Sequence, residues 1–122
     1  MESDRENYYL DSCVRGYHVY LRVWTPHIGE ILSTRKETGN HHDRFAVAAL
    51  KDDRIVGHIP REVSKTAWYV LEHGGKILCE IISRRRRSDI AGKGLEVPCT
   101  YAFEGKPKMI KKLIKLFSRN TS

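Results

Sequence analysis

The chain has 122 residues, 40% hydrophobic and 30% charged, with a formal net charge of +7 and a sequence pI of about 9.5. This length predicts one domain with a core of its own. The basic surplus favours anionic partners, nucleic acid before anionic lipid. No apolar run is long enough to span a membrane, and the polar start M-E-S-D-R-E-N lacks the apolar region of a signal peptide. We therefore expect an intracellular protein, nuclear or cytosolic, with no membrane partner.

Alternating apolar residues predict six strands, and apolar residues at helical spacing predict two helices. Residues 1–11 are expected to form a poorly ordered lead, residues 12–118 a single domain, and residues 119–122 a tail. The expected order is strands over Val14–Trp24, Gly29–Lys36, Ala46–Leu50 and Arg54–Gly57, a helix between Pro60 and Gly74, strands over Lys76–Ser83 and Leu95–Phe103, and an amphipathic helix over Lys106–Arg119. Six short strands with two helices predict a mainly β fold, a small and partly open six-stranded barrel.

The C-terminal helix is basic on one face and apolar on the other. Taken alone, this pattern is typical of a helix that lies on a membrane surface. In a chain this short, we expect the apolar face to pack on the barrel, because most helical stability comes from burying such a face.

Three cysteines, Cys13, Cys79 and Cys99, are present, and none belongs to a C-x-x-C pair. The odd number and the spacing argue against a disulfide framework and against a cysteine-rich zinc site. Cys79 and Cys99 fall within apolar strand patterns, so we expect buried, reduced thiols.

The sequence gives little support for catalysis or for a metal. His41, His42 and Asp43 are adjacent, but neighbouring residues of an extended segment point apart, whereas structural zinc needs about four converging ligands. No P-loop, nucleophile elbow or H-E-x-x-H motif occurs. One carboxylate beside a histidine is a thin basis for a metal-dependent nuclease. We expect a protein that is not an enzyme, with no catalytic residue, metal or cofactor.

The most informative stretch runs from Asn40 to Arg61 and predicts a hairpin with a turn at Lys51-Asp52-Asp53. Because the two strands fold back on each other, the polar residues at their outer ends should meet. These residues are Asn40, His42, Asp43, His58 and Arg61. They are either an anion-binding mouth or a solvated loop in which Asn40 and Asp43 only form Asx-turns; binding residues often sit on such loops.

Three blocks in this order resemble the signature of the HIRAN domain, a module of some helicase-like chromatin remodellers and fork-remodelling ATPases. The first block is a glycine and a tyrosine on the first strand, Gly16 and Tyr20. The second is the segment Arg35–Val47, which contains the family's N-x-x-D pattern as Asn40 and Asp43. The third is Val56-Gly57-His58-Ile59-Pro60-Arg61. The resemblance covers roughly Cys13–Phe103 and implies a small OB-like barrel.

The resemblance also implies a role: the family binds single-stranded DNA at its free 3′ end. Asp43 would accept a hydrogen bond from the terminal hydroxyl and repel a terminal phosphate. Asn40 would shape that loop or contact the nucleotide. His18, His58 and Arg61 match the positions that bind phosphates.

The chain departs from the family where rings stack on the base, since Val19 and His42 replace aromatic residues. Stacking is worth about 1–3 kcal/mol per base, so weaker binding or a different hold on the base is expected. Tyr20 and Phe45 are the candidate replacements, although Phe45 is expected in the core.

A run of four arginines, Arg84, Arg85, Arg86 and Arg87, is the second basic feature. It fits a groove that follows DNA phosphates, with salt-sensitive contacts. It fits equally well a solvated loop or a nuclear localisation patch.

The favoured hypothesis is therefore a monomeric module that binds single-stranded DNA or DNA ends, with a larger helicase or repair assembly as a further partner. The alternative is a protein-interaction adaptor with only non-specific binding of anions. Base preference and the choice between DNA and RNA do not follow from the sequence.

Overall fold

The computed structural model describes residues 4–16, 24–84, 86–87 and 95–118, with the backbone alone for Arg86 and Arg87. These ranges contain seven strands and two helices. They are β1 (Glu6–Arg15), β2 (Ile31–Lys36), β3 (Val47–Lys51), β4 (Arg54–His58), α1 (Arg61–Glu72), β5 (Lys76–Ile81), β6 (Arg86–Arg87), β7 (Leu95–Gly105) and α2 (Pro107–Ser118). In this described part of the chain, neither helix has the length and apolarity that crossing a bilayer requires.

Six antiparallel strands form a ring in the order β1-β4-β3-β2-β5-β7, which closes because β7 also pairs with β1. The β1–β7 ladder is long and runs from Glu6↔Gly105 to Arg15↔Glu96. The β1–β4 junction consists of the single pair Arg15↔His58. The small OB-like barrel predicted from the sequence is confirmed, with the ring closed rather than partly open.

The first strand begins earlier than expected. Residues Glu6–Asp11, assigned above to a poorly ordered lead, form the first half of β1. This expectation missed that the polar residues alternate with Tyr8 and Leu10, which pack against the core while Tyr9 is exposed. Most of the expected strand Val14–Trp24 lies outside the described residues, and Trp24 itself is a buried loop residue.

The central hairpin matches its prediction. Asp52 and Asp53, at the turn between β3 and β4, have φ values of 51° and 67°. Two consecutive positive φ values define the turn whose twist suits a two-residue hairpin, and Asp tolerates them better than most residues. The register shifts between Ala49 and Leu50, a bulge that bends the hairpin.

Both helices pack on the barrel through apolar faces. Val63, Ala67 and Val70 of α1 are buried, and the chain leaves this helix at Gly74, whose φ of +85° suits glycine. Helix α2 buries Ile110 and Leu113. Its Phe117 ring stacks on Tyr8 with centroids 5.5 Å apart. The expected docking of the C-terminal helix is therefore observed.

The core holds Tyr101 and Phe103, the largest fully buried side chains, and the three cysteines. Tyr101 donates a hydrogen bond of 2.7 Å to the Cys13 carbonyl. Cys13, Cys79 and Cys99 are free and buried, as expected. Burial raises the pKa of the Cys13 thiol to about 12, so this group is protonated at neutral pH.

Candidate functional site

A hollow of ≈ 240 Å³ lies where the open end of the β3–β4 hairpin meets the start of α1 and the end of β1. Asn40, His42, Asp43, His58 and Arg61, the polar residues expected to meet, all line it. The other lining residues are Arg15, Gly16, Ala46, Ile59 and Pro60. The geometry expected from the hairpin is therefore present, and the roles of the residues stay predictions.

Asn40 shapes the loop that leads into β3. Its side-chain oxygen accepts hydrogen bonds from the backbone N–H groups of His42 (2.8 Å) and Asp43 (3.1 Å). Its amide nitrogen donates to Glu37 Oε1 at 3.2 Å. Asn40 is thus an Asx-turn residue, so holding the loop already uses most of its hydrogen-bonding capacity.

Asp43 is half-buried and fixed by two donors. Oδ1 accepts the Phe45 N–H at 2.9 Å, and Oδ2 accepts the Ser64 hydroxyl of α1 at 2.8 Å. An ionised carboxylate has about four acceptor positions, so about two remain for a ligand. Because both oxygens are anchored, the carboxylate is oriented before any ligand arrives.

His58 ends β4 and contacts Glu37, with 2.5 Å between Nε2 and Oε1. Burial raises the pKa of Glu37, but the hydrogen bonds from His58 and Asn40 outweigh it and hold this pKa below its ordinary value. Glu37 is therefore ionised at neutral pH and adds a negative charge beside the hollow. Glu37 was not predicted as a site residue, because its contact with His58 depends on the β3–β4 register and on the loop rather than on a local sequence pattern.

Two guanidinium groups, those of Arg15 and Arg61, line the hollow. Arg61, the first residue of α1, donates from Nη2 to the His42 carbonyl. Arg15, at the end of β1, donates to Cys13 Sγ and lies 3.3 Å from Glu62 Oε2. Arg15 was not predicted as a site residue, because the first strand was expected to begin at Val14, which puts Arg15 at the start of a strand, whereas β1 begins at Glu6 and ends at Arg15.

Several predicted site residues have no described position at the hollow. His18, Val19, Tyr20 and Arg85 lie outside the described residues. Arg84 is exposed, and the backbones of Arg86 and Arg87 pair with Glu96 and Leu95 of β7. Phe45, expected in the core, is half-buried beside Trp68 in an edge-on contact with centroids 5.9 Å apart.

Solved structures of other proteins share this fold. No protein-family model and no curated protein matches the chain. The solved HIRAN domain of human HLTF superimposes with a TM-score of 0.70 and 17% identity over 93% of this chain and 89% of that one. A protein from Lactobacillus plantarum superimposes with a TM-score of 0.55 and 16% identity over 83% of this chain and 99% of that one.

The protein is a closed OB-like barrel with two packed helices. A polar hollow lies at one end of its central hairpin. The particular fold is that of a HIRAN-like domain, as the superposition over nearly the whole chain shows. The resemblance inferred from the three sequence blocks is confirmed at this level. Among the described residues, no group of three or more His, Cys, Asp or Glu side chains converges as metal ligands do.

Proposed function

We propose that this chain is a nucleic-acid-binding module that takes the free 3′ end of single-stranded DNA into the hollow at the end of the hairpin. One observation carries the proposal: an oriented carboxylate, Asp43, lines the same hollow as Arg15, His58 and Arg61. The carboxylate accepts from a hydroxyl, and guanidinium groups bind phosphate with paired donors. The HIRAN-like fold and the net charge of +7 support the same conclusion.

The first prediction concerns the terminal hydroxyl. We expect the protein to bind a short oligonucleotide with a 3′-hydroxyl about tenfold or more tightly than one with a 3′-phosphate, because Asp43 repels the added charge. Asp43→Asn should remove most of this preference. The asparagine keeps an oxygen for the Phe45 N–H and loses the negative charge. Fluorescence anisotropy with both oligonucleotides measures the ratio.

Asp53→Asn is the matched control, because it removes the same charge at the other end of the hairpin, in a conformation that asparagine tolerates. This variant should keep the preference of the unmutated protein. Equal binding of the two oligonucleotides by the unmutated protein would overturn the proposal.

Arg61→Ala should weaken binding of all base sequences by a similar factor, since Arg61 is proposed to bind phosphate.

The second prediction follows from the contact between Glu37 and His58. Glu37→Gln removes a negative charge beside the hollow and frees the imidazole from a carboxylate. We therefore expect single strands to bind about three- to tenfold more tightly, the range that one nearby partly screened charge produces. Anisotropy at low and moderate salt gives the measurement. If Glu37→Gln binds single strands more weakly, the hydrogen bond that Glu37 accepts from Asn40 affects binding more than the charge of Glu37 does.

One observation favours the adaptor alternative. Both oxygens of Asp43 already accept hydrogen bonds within the protein, as they would if Asp43 only stabilised the loop. On that reading, binding of oligonucleotides is weak, proportional to length and erased by salt. The hydroxyl-against-phosphate comparison separates the two functions.

A further inference from the structure

A second hollow, of ≈ 360 Å³, lies at the far end of α1, beside the start of α2. Its lining is rich in cations and includes an aromatic ring. These residues are Arg5, Lys106, Lys108 and Lys112, together with Tyr69 and His73. The hollow differs from the first in having no carboxylate among its described lining residues. It therefore suits phosphate groups, because its described charged side chains are donors and none is a carboxylate that could accept from a terminal hydroxyl.

Several of these side chains are held in place. Arg5 donates to the Gly74 carbonyl at 3.1 Å and pairs with Glu104 at 3.2 Å. Lys112 donates to the Tyr69 hydroxyl at 3.2 Å and lies 5.5 Å from the centre of that ring. Lys106 and Lys108 are exposed. The hollow thus combines anchored donors with solvent-exposed donors around one aromatic side chain.

A stripe on the outer face of α1 connects the two hollows. Arg61, Lys65 and Trp68 follow one another at spacings of four and three, so they share one face of the helix. Arg61 lines the first hollow, and Tyr69 lines the second. Phe45 contacts Trp68 from the side, and cations lie near these rings: Arg44 and Lys65 near Phe45, and Lys36 near Trp68.

The acidic residues of α1 do not reverse this charge. Glu72, on the same face near the second hollow, pairs with Lys36. Glu62, near the first hollow, pairs with Arg15. The surface between the hollows therefore alternates cations with partly exposed rings. A basic groove with interleaved aromatic rings is the arrangement that binds single-stranded nucleic acid without reading its sequence.

We propose that a single nucleic-acid strand runs along this stripe, with its end in the first hollow and internal phosphates in the second. The inference rests on the proposed function and adds a second contact site to it. The 12 residues of α1 span about 18 Å at about 1.5 Å per residue. At about 3.4 Å per stacked nucleotide, that distance corresponds to about five nucleotides.

The test is the length dependence of binding. Oligothymidines of two to ten nucleotides, each with a 3′-hydroxyl, are titrated by anisotropy at several salt concentrations. Affinity and salt dependence should both rise up to about five or six nucleotides, the separation of the hollows, and then level off. If the octanucleotide binds no more tightly than the dinucleotide, the inference is overturned.

Substitutions in the second hollow test whether it provides the additional affinity of the longer oligonucleotides. In the double variant Lys108→Gln with Lys112→Gln, the slope of log affinity against log salt for the octanucleotide should become shallower by about 1.4, the value for two phosphate contacts on a single strand. Its affinity for the octanucleotide should fall on the order of tenfold at 0.1 M salt. Dinucleotide binding should not change. Lys65→Gln should show a smaller loss that begins at shorter lengths, because this residue lies between the hollows.

The matched control removes the same charge elsewhere: Arg54→Gln at the start of β4 with Lys111→Gln on α2. Both residues are exposed, and neither lines either hollow. This control should bind the octanucleotide almost as the unmutated protein does. An equal loss in both double variants would mean that net charge alone binds the strand, and would overturn the inference.

The outcomes separate this inference from the proposed function. A preference for the 3′-hydroxyl without length dependence leaves the end pocket standing and removes the stripe. Length dependence that needs Lys108 and Lys112, without preference for either end, supports the stripe and removes the end pocket. Phosphatidylserine vesicles test the other anionic partner. If the Lys108→Gln and Lys112→Gln variant loses vesicle binding but keeps octanucleotide binding, the second hollow serves a lipid surface and the inference is overturned.

Discussion

The Gly57→Ala variant is expected to lose about 3 kcal/mol of folding stability, at the upper end for overpacking. A β-carbon on Gly57 would lie 2.3 Å from Val14 Cγ1 and 2.9 Å from the Arg15 carbonyl oxygen. The second contact is with backbone, which cannot rotate away. Relief would require moving β4 away from β1, at the junction that consists of the single pair Arg15↔His58.

Urea denaturation followed by circular dichroism measures this loss. Gly39→Ala serves as the control, because Gly39 has a φ of +80° but nothing within 4 Å of the added carbon. That variant should lose only about 1–2 kcal/mol, the cost of a left-handed conformation for alanine. If both variants lost the same amount, crowding at Gly57 would not be the cause.

The second large effect is expected at Glu30, which joins three parts of the chain. Its Oε1 accepts hydrogen bonds from the Trp24 indole (3.0 Å) and the His27 N–H (2.8 Å), and its Oε2 lies 2.5 Å from Lys51 Nζ. Glu30→Ala removes all of these acceptors, and Trp24 is only 3% exposed. Hydrogen bonds to charged groups contribute about 1.5–3 kcal/mol, and a buried donor that loses its acceptor destabilises the fold further. The free energy of unfolding is therefore expected to fall by about 3 kcal/mol.

The same residue gives a pH dependence. Burial raises the pKa of Glu30, but the donors from Lys51, His27 and Trp24 outweigh it, so this pKa lies below its ordinary value. A carboxyl whose pKa is lower in the folded state than its ordinary value of 4.5 stabilises the fold when the pH is above 4.5. This contribution to stability is lost as the pH falls through the pKa of the folded state. The stability difference between the unmutated protein and Glu30→Gln should therefore be constant near neutral pH and shrink at acid pH.

Denaturation series at neutral and acid pH test this sign. Glu72→Gln is the control, because its ion pair with Lys36 is exposed and such pairs contribute little. Its denaturation midpoint should stay close to that of the unmutated protein. A difference for Glu30→Gln that grows at acid pH would contradict the assignment.

Local chemistry made most of the barrel predictable. Two aspartates between apolar runs gave the β3–β4 turn, and glycine after a helical repeat gave the end of α1 at Gly74. The start of β1 was missed because a strand at a ring junction has a solvated face, and its polar residues resemble a tail. The ladder that pairs Glu6–Asp11 with residues 100–105 of β7 shows that this segment belongs to the barrel.

The polar members of the first hollow were predictable because a hairpin brings its outer ends together. Glu37 and Arg15 were not, since their positions depend on which strand closes the ring and on how the loop after β2 bends. Phe45 shows the same limit. A large aromatic residue was expected in the core, but Phe45 is half-buried and lies edge-on to Trp68 of α1, which is distant in sequence.

The single residue pair that joins β1 to β4 bears on the local stability of the barrel beside the first hollow. His58 and Arg15 form that pair and also border the first hollow. Local opening costs least where few backbone hydrogen bonds must break. The edge of the proposed binding hollow is therefore also the barrel junction with the fewest residue pairs, and local opening should cost less there than along the ten-pair β1–β7 ladder.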